Sequence, residues 1–157
     1  MKAKIIALIA TVGLVTAAVA QDSDLFKENE LSLSLYGNYV DKEGPSKLAP
    51  GVGLNYFFTQ KLGVAVSTFW ENYEGTFIDN VCAEVMFRWP IDSIRLAPYA
   101  TFGIGYSFET EEAFELIGAG VEFRFNEKWG IFGDLRWQFN NDTDNSVGVR
   151  VGARMVF

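Results

Sequence analysis

An all-β fold, an eight-stranded antiparallel up-and-down transmembrane β-barrel, is predicted by three features of the 157-residue sequence. Apolar residues recur at every second position in eight stretches of about ten residues. Bulky aromatics gather at both ends of the apolar face. The arginines fall on the opposite face. Composition agrees, since fourteen Phe, six Tyr, four Trp and fifteen Gly favour strands over long helices.

The N-terminus reads as an export signal. Lys2 and Lys4 precede the apolar run Ile5 to Val15 and then Ala18-Val19-Ala20, the small-x-small form at which signal peptidase cuts, so residues 1–20 are expected to be a cleaved leader. The apolar run is short for a membrane helix, which needs roughly 20 residues. No Cys follows the leader to carry a lipid, and Cys82, the only cysteine, cannot form an internal disulfide. Residues 21–29 are polar and unpatterned, a short periplasmic lead, and residues 30–157 form the barrel.

Each strand shows two faces, because successive side chains point to opposite sides. Leu31 to Val40 sets Leu31, Leu33, Leu35 and Tyr39 against Ser32, Ser34, Tyr36 and Asn38. After the turn signal Gly44-Pro45, Ala49 to Phe58 sets Val52, Leu54, Tyr56 and Phe58 against Gly51, Gly53, Asn55 and Phe57. Thr59-Gln60-Lys61 turns the chain into Leu62 to Asn72, where Leu62, Val64, Val66, Thr68 and Trp70 oppose Gly63, Ala65, Ser67, Phe69 and Glu71. In Asp79 to Trp89, Val81, Ala83, Val85, Phe87 and Trp89 oppose Asn80, Cys82, Glu84, Met86 and Arg88.

The second half repeats the pattern. Arg95 to Phe108 sets Leu96, Pro98, Ala100, Phe102, Ile104, Tyr106 and Phe108 against Arg95, Ala97, Tyr99, Thr101, Gly103, Gly105 and Ser107. Pro98 is a blemish, because proline removes a ladder donor. Phe114 to Phe125 places Ile117, Ala119, Val121, Phe123 and Phe125 opposite Gly118, Gly120, Glu122 and Arg124. Beyond the turn Asn126-Glu127-Lys128, Trp129 to Phe139 has Trp129, Ile131, Leu135, Trp137 and Phe139 against Gly130, Phe132, Asp134, Arg136 and Gln138. Ser146 to Phe157 closes the chain with Val147, Val149, Val151, Ala153, Met155 and Phe157 on one face and Arg150 and Arg154 on the other.

The faces separate a soluble barrel from a membrane barrel. Tyr39, Trp70, Tyr106, Phe108, Trp137 and Phe139 end the apolar face on one side; Phe58, Phe87, Trp89, Phe125, Trp129 and Phe157 end it on the other. Such belts around a Val/Leu/Ile/Ala band suit two lipid interfaces and poorly suit an eight-stranded interior, which has room for few large side chains. Arg88, Arg95, Arg124, Arg136, Arg150 and Arg154 all take the polar face, where Glu71, Glu84, Glu122 and Asp134 join them and Glu30 stands at the margin. An arginine facing lipid at mid-depth costs roughly 2 to 4 kcal/mol, so that face must point inward. The near balance of charge predicts a lumen plugged by ion pairs among Glu84, Arg88, Glu122, Arg124, Asp134, Arg136, Arg150 and Arg154, with Asp134 between Arg150 and Arg154 if the last hairpin is symmetric. A narrow gated channel for small solutes or ions is the alternative.

On these residues the chain resembles the small eight-stranded outer-membrane barrels of Gram-negative bacteria, the OmpA/OmpX/opacity type. The last eight residues are similar to the assembly signal of that class, with Arg150, Gly152, Met155 and Phe157 at its polar, glycine, hydrophobic and final aromatic positions. The resemblance implies an integral barrel in the cell outer membrane, in contact with lipid and lipopolysaccharide and recognised during biogenesis by the barrel-assembly machinery through strand pairing. A monomer is expected.

Other functions meet obstacles in the sequence. Barrels of this architecture that catalyse lipid A modification or proteolysis use a histidine, and this chain has none, so Ser67 or Ser107 beside Glu71 would lack a base. A net charge of -7, more negative without Lys2 and Lys4, disfavours nucleic acid. Gly51-Val52-Gly53, Gly103-Ile104-Gly105 and Gly118-Ala119-Gly120 have no following helix and read as close backbone packing rather than a nucleotide loop. Asp142-Thr143-Asp144 lacks the glycine and distal glutamate of a calcium loop, so no cofactor or metal is expected. Glu109, Glu111, Glu112 and Glu115 suggest an acidic rim able to bridge lipopolysaccharide phosphates through divalent cations. If the terminus addresses assembly, deleting Phe157 will lower membrane insertion in cells and leave the urea midpoint of barrels refolded in vitro nearly unchanged.

Overall fold

The computed structural model describes residues 25–41, 47–70, 78–108, 110–140 and 145–157. The leader, Glu71, Glu109 and Asp142-Thr143-Asp144 lie outside the described residues. Eight strands, β1 (Glu30–Asp41), β2 (Lys47–Phe57), β3 (Leu62–Phe69), β4 (Asn80–Arg88), β5 (Leu96–Ser107), β6 (Glu112–Arg124), β7 (Trp129–Asn140) and β8 (Ser146–Val156), close into one barrel in chain order. Every neighbouring pair is antiparallel, including the seam of β1 with β8. The alternation predicted these strands to within two residues at most ends. β3 is the exception, stopping at Phe69 rather than Asn72.

The register sets the barrel's dimensions. Stepping across the sheet from Glu30 leads through Phe57, Gly63, Met86, Thr101, Gly118, Arg136 and Gly148 to Val40, ten residues further along β1. A shear of ten over eight strands corresponds to a tilt of about 41° and a backbone radius of about 8 Å. An 11-residue strand such as β2 then rises roughly 27 Å, close to the height of a bilayer's apolar band.

Burial follows parity strand by strand. In β4, Asn80, Cys82, Glu84, Met86 and Arg88 are buried, whereas Val85 and Phe87 are exposed. The outside carries the large apolar groups, with Leu35 59% and Ile104 62% exposed, while the inside buries Arg88, Arg124 and Arg154 almost completely. This inverts a soluble protein, where charges face water and apolar groups fill the core.

The lumen holds more aromatic bulk than the sequence suggested. Tyr36, Phe57, Phe69, Tyr99, Phe114 and Phe132 all point inward and are buried. Inward glycines make the room: a Cβ on Gly51 would lie 2.3 Å from the Tyr36 ring, and one on Gly105 would lie 2.2 Å from Phe114. Pro98 is accommodated at a margin, since its carbonyl accepts from the Trp89 N–H one residue past the end of β4. Its missing donor falls on the same side and removes the reciprocal bond of that pair, where the regular β4–β5 ladder ends.

Side chains that bond to their own backbone make two of the turns tight. Thr59 Oγ1 accepts from the Lys61 and Leu62 N–H groups, and Asn126 Oδ1 accepts from Lys128 and Trp129. Between β4 and β5 a 3-10 turn, Asp92–Ile94, ends on Arg95, whose φ is 57°. Arg95 is thus not a lumen residue. The left-handed turn directs its guanidinium to the Phe125 carbonyl at 3.1 Å, away from the interior that strand parity assigned it.

Packing against the glycines makes a graded prediction. At Gly120 a Cβ would lie 2.5 Å from both Asp134 Cβ and the Gly133 carbonyl, whereas at Gly133 it would meet only the Arg150 carbonyl, at 3.7 Å. Gly120→Val should lower the unfolding free energy by about 1–3 kcal/mol in urea titrations of the refolded chain. Gly133→Ala should stay within about 0.5 kcal/mol.

Candidate functional site

The inward residues of β1, β4, β6, β7 and β8 converge into two stacked charge clusters. The first lies at the end of the barrel where the chain makes its tight turns. Glu30 opens β1 and receives Arg88 from β4 and Arg124 from β6 on one oxygen, each at 2.7 Å. Arg124 also donates to Glu122, two residues back on the same face of β6, and Glu122 receives Arg154 from β8. The Arg154 Nε then donates to Ser34 Oγ at 3.1 Å.

The second cluster lies nearer mid-barrel. Glu84 of β4 takes both terminal nitrogens of Arg136 at 2.7 and 2.6 Å, a bidentate pairing. Arg136 Nε reaches Asp134 Oδ1 at 3.3 Å, and Arg150 grips both Asp134 oxygens at 2.9 and 2.6 Å. The Tyr99 hydroxyl donates to Asp134 at 2.6 Å, giving that carboxylate a further donor from β5. Ser67, once a candidate nucleophile, donates to Glu84 at 3.4 Å and faces this cluster.

Aromatic rings complete the seal. The Arg88 guanidinium lies 3.6 Å from the centre of the Phe57 ring, and that of Arg150 lies 4.7 Å from Tyr36. The electron-rich ring faces attract the cations while excluding water. Burial without partners would cost each charge several kcal/mol, so paired carboxylates and rings are what make these arginines tolerable.

Eight residues were assigned to the lumen network, and the structure brings all of them together: Glu84, Arg88, Glu122, Arg124, Asp134, Arg136, Arg150 and Arg154 are buried. Their pairing differs in one place. Asp134 lies directly opposite Arg150, and Arg154, four residues further along β8, reaches Glu122 instead of Asp134. The last hairpin is offset rather than symmetric: β7 runs to Asn140 but Ser146, the first residue of β8, pairs with Gln138, which brings Asp134 opposite Arg150 and leaves Arg154 beyond it.

Glu30 and the lead do more than their places in the sequence suggest. Glu30 is 3% exposed and bridges two arginines, so it is a hub rather than a margin. Leu25 and Phe26 are buried, and Phe26 lies under Arg88 and Arg124 with its ring 5.2 and 5.0 Å from their guanidinium carbons. The Lys27 carbonyl accepts from Arg88 at 2.9 Å. The described part of the lead therefore stoppers this end. Its only signal in the sequence is an apolar pair in a polar stretch. Lys27 also reaches over the rim to Glu127 at 2.7 Å, and that hydrogen bond holds the exposed Glu127 carboxyl below its ordinary range.

Tyr39, Trp137, Phe139, Phe58, Trp89, Trp129 and Phe157 are exposed on the outer wall or at its ends, and Trp70 is half-buried. Of the terminal residues, Arg150 is committed to Asp134, Gly152 pairs with Tyr36 and Phe132, Met155 is half-buried, and Phe157 donates its N–H to the Leu31 carbonyl at 2.9 Å. Of the acidic rim, Glu109 lies outside the described residues. Glu111 sits in a turn with φ of 57°, Glu112 takes the inward parity of β6, and Glu115 points out of the barrel wall. Cys82 is a buried free thiol.

Because Asp134 holds Arg150 by two bonds and also meets Arg136 and Tyr99, Asp134→Ala should cost about 3–5 kcal/mol in urea unfolding, leaving the buried Arg150 guanidinium without its carboxylate while Arg136 keeps Glu84. Lys27→Ala, which removes an exposed pair, should leave the transition unmoved.

No family model and no curated protein matches the chain. Solved structures do. The N-terminal β-barrel domain of Pseudomonas aeruginosa OprF matches with a TM-score of 0.67 at 17% identity, covering 83% of this chain and 98% of that one. A de novo designed transmembrane β-barrel matches with a TM-score of 0.63 at 19% identity over 83% and 98%. The outer membrane protein OprG of Pseudomonas aeruginosa matches with a TM-score of 0.55 at 9% identity over 83% and 97%. Identities this low speak to architecture alone, and on that count the chain has the fold of the small eight-stranded outer-membrane β-barrels.

Proposed function

We propose that the chain is exported by its leader, inserts in the outer membrane of a Gram-negative bacterium, and acts there as a non-enzymatic barrel with a side-chain-plugged lumen in a structural or envelope-interaction role. The observation that carries the plug is the pair of buried charge clusters, sealed below by Phe26. With a backbone radius of about 8 Å, side chains of this size fill the interior. The membrane setting is supported by the exposed apolar wall with its two aromatic belts, which would otherwise be a large aggregation-prone surface in water.

The same reading assigns roles to the ends. The C-terminal segment with Arg150, Gly152, Met155 and Phe157 addresses the assembly machinery, and the belts hold the barrel at lipid and lipopolysaccharide interfaces. A non-catalytic role is supported by the absence of histidine and by the ties of Ser67 to Glu84.

Single-channel recording of the refolded full chain in planar bilayers tests the plug. Silence is expected. Resolved conductance steps from the unmodified chain would sink it and favour the narrow gated channel.

A further inference from the structure

The lead before β1 is held by the barrel but does not belong to its sheet. Among the described residues, sheet pairing on β1 begins at Glu30. Leu25 and Phe26 pack with Ala97 in a small buried cluster of their own, apart from the larger one that includes Tyr36 and Phe132. Between lead and strand stands Asn29 with φ of 54°, a left-handed corner that asparagine adopts more readily than most residues. The outer fastenings are the exposed pair of Lys27 with Glu127 and the exposed hydrogen bond that the Tyr56 hydroxyl donates to Asn29 Oδ1 at 3.1 Å. Water competes for both, so each holds weakly.

Beneath the lead the charge does not balance. Among the described side chains, the buried Arg88, Arg124 and Arg154 pair with Glu30 and Glu122 alone, which leaves one positive charge unmatched. Main-chain carbonyls make up the difference. The Lys27 carbonyl accepts from Arg88 Nη2 at 2.9 Å, and the Leu25 carbonyl accepts from Arg124 Nη1 at 3.5 Å. The Phe26 ring stands 5.2 and 5.0 Å from the same two guanidinium carbons. The lead is in effect the ligand of a cationic seat. With it withdrawn, Arg88 and Arg124 each lose an acceptor beside the space the ring leaves. A small oxyanion supplies what the carbonyls supplied, and its charge cancels the excess.

We propose that residues 25–27 are a displaceable cap, and that the seat formed by Arg88 and Arg124 takes inorganic phosphate or another small oxyanion when the cap is out. The seat is independent of the membrane reading, which decides only that this mouth opens to the periplasm. The pairs of Glu84 with Arg136 and Asp134 with Arg150 still fill the lumen beyond it. Uncapping therefore exposes a site and not a conducting path.

The test compares the refolded full chain with its Leu25→Gly/Phe26→Gly variant in detergent micelles, by calorimetric titration with inorganic phosphate. A cap seated about nine-tenths of the time weakens apparent affinity about tenfold, so the variant should bind phosphate more tightly by about that factor or more. Both chains should show the gel shift on boiling that marks a folded barrel. Adding Arg88→Gln to the uncapped chain leaves two arginines against two carboxylates and should abolish binding; Arg124→Gln makes the same subtraction from β6. Lys128→Gln, at the exposed rim, should leave binding unchanged. Absent or equal phosphate affinity in capped and uncapped chains overturns the proposal, as does binding that survives the arginine substitutions. Binding lost with Lys128→Gln overturns it too and marks an adventitious ion only. An uncapped chain that no longer shifts on boiling also overturns it, because the lead would then be part of the fold. The plug fails separately, through conductance of the unmodified chain.

Discussion

Closing eight strands with a shear of ten leaves an interior about 8 Å in backbone radius, and this constraint governs the rest of the molecule. A space that narrow is filled by inward side chains. The rings of Tyr36 and Phe114 fit because the facing positions are Gly51 and Gly105. The charges fit because each arginine finds a carboxylate within reach on a neighbouring or facing strand. Glu30 and Glu122 tie β1, β4, β6 and β8 together, and Glu84 and Asp134 tie β4, β7 and β8.

The wall divides two unlike surroundings, and the same backbone serves both. Outward positions are apolar with aromatic ends; inward positions are polar, small or charged. Neither set contributes in the way a soluble core does. The buried ion pairs are weak evidence for net stability, since two charges removed from water lose nearly what they regain. Their effect is on specificity, because a barrel closed in another register would leave some of those charges without partners. Among the described side chains Glu115 is the one charged group on the outward face.

How much of the lumen was legible depended on how local each signal was. Arg88, Arg124, Arg136, Arg150 and Arg154 were placed inside by parity alone, each sitting mid-pattern among alternating apolar residues. Arg95 failed the same test because it precedes β5 in a left-handed turn, where a period of two no longer sets direction. Phe26 was missed because an irregular segment has no period to read. Glu30 was undervalued for its place at a strand end, although β8, β4 and β6 bring three arginines to that end.

Taken alone, the sequence determined the strand count, the face each residue inside a strand presents and the inverted sense of the barrel, all properties that a period of two carries locally. Only the tertiary structure decided which charge meets which: that Asp134 faces Arg150, that Arg154 goes to Glu122, and that ten residues separate the two ends of one circuit. The reason is geometric. A shift of two residues between neighbouring strands leaves every side chain on its own face and changes every partner, so alternation is blind to it and closure is not.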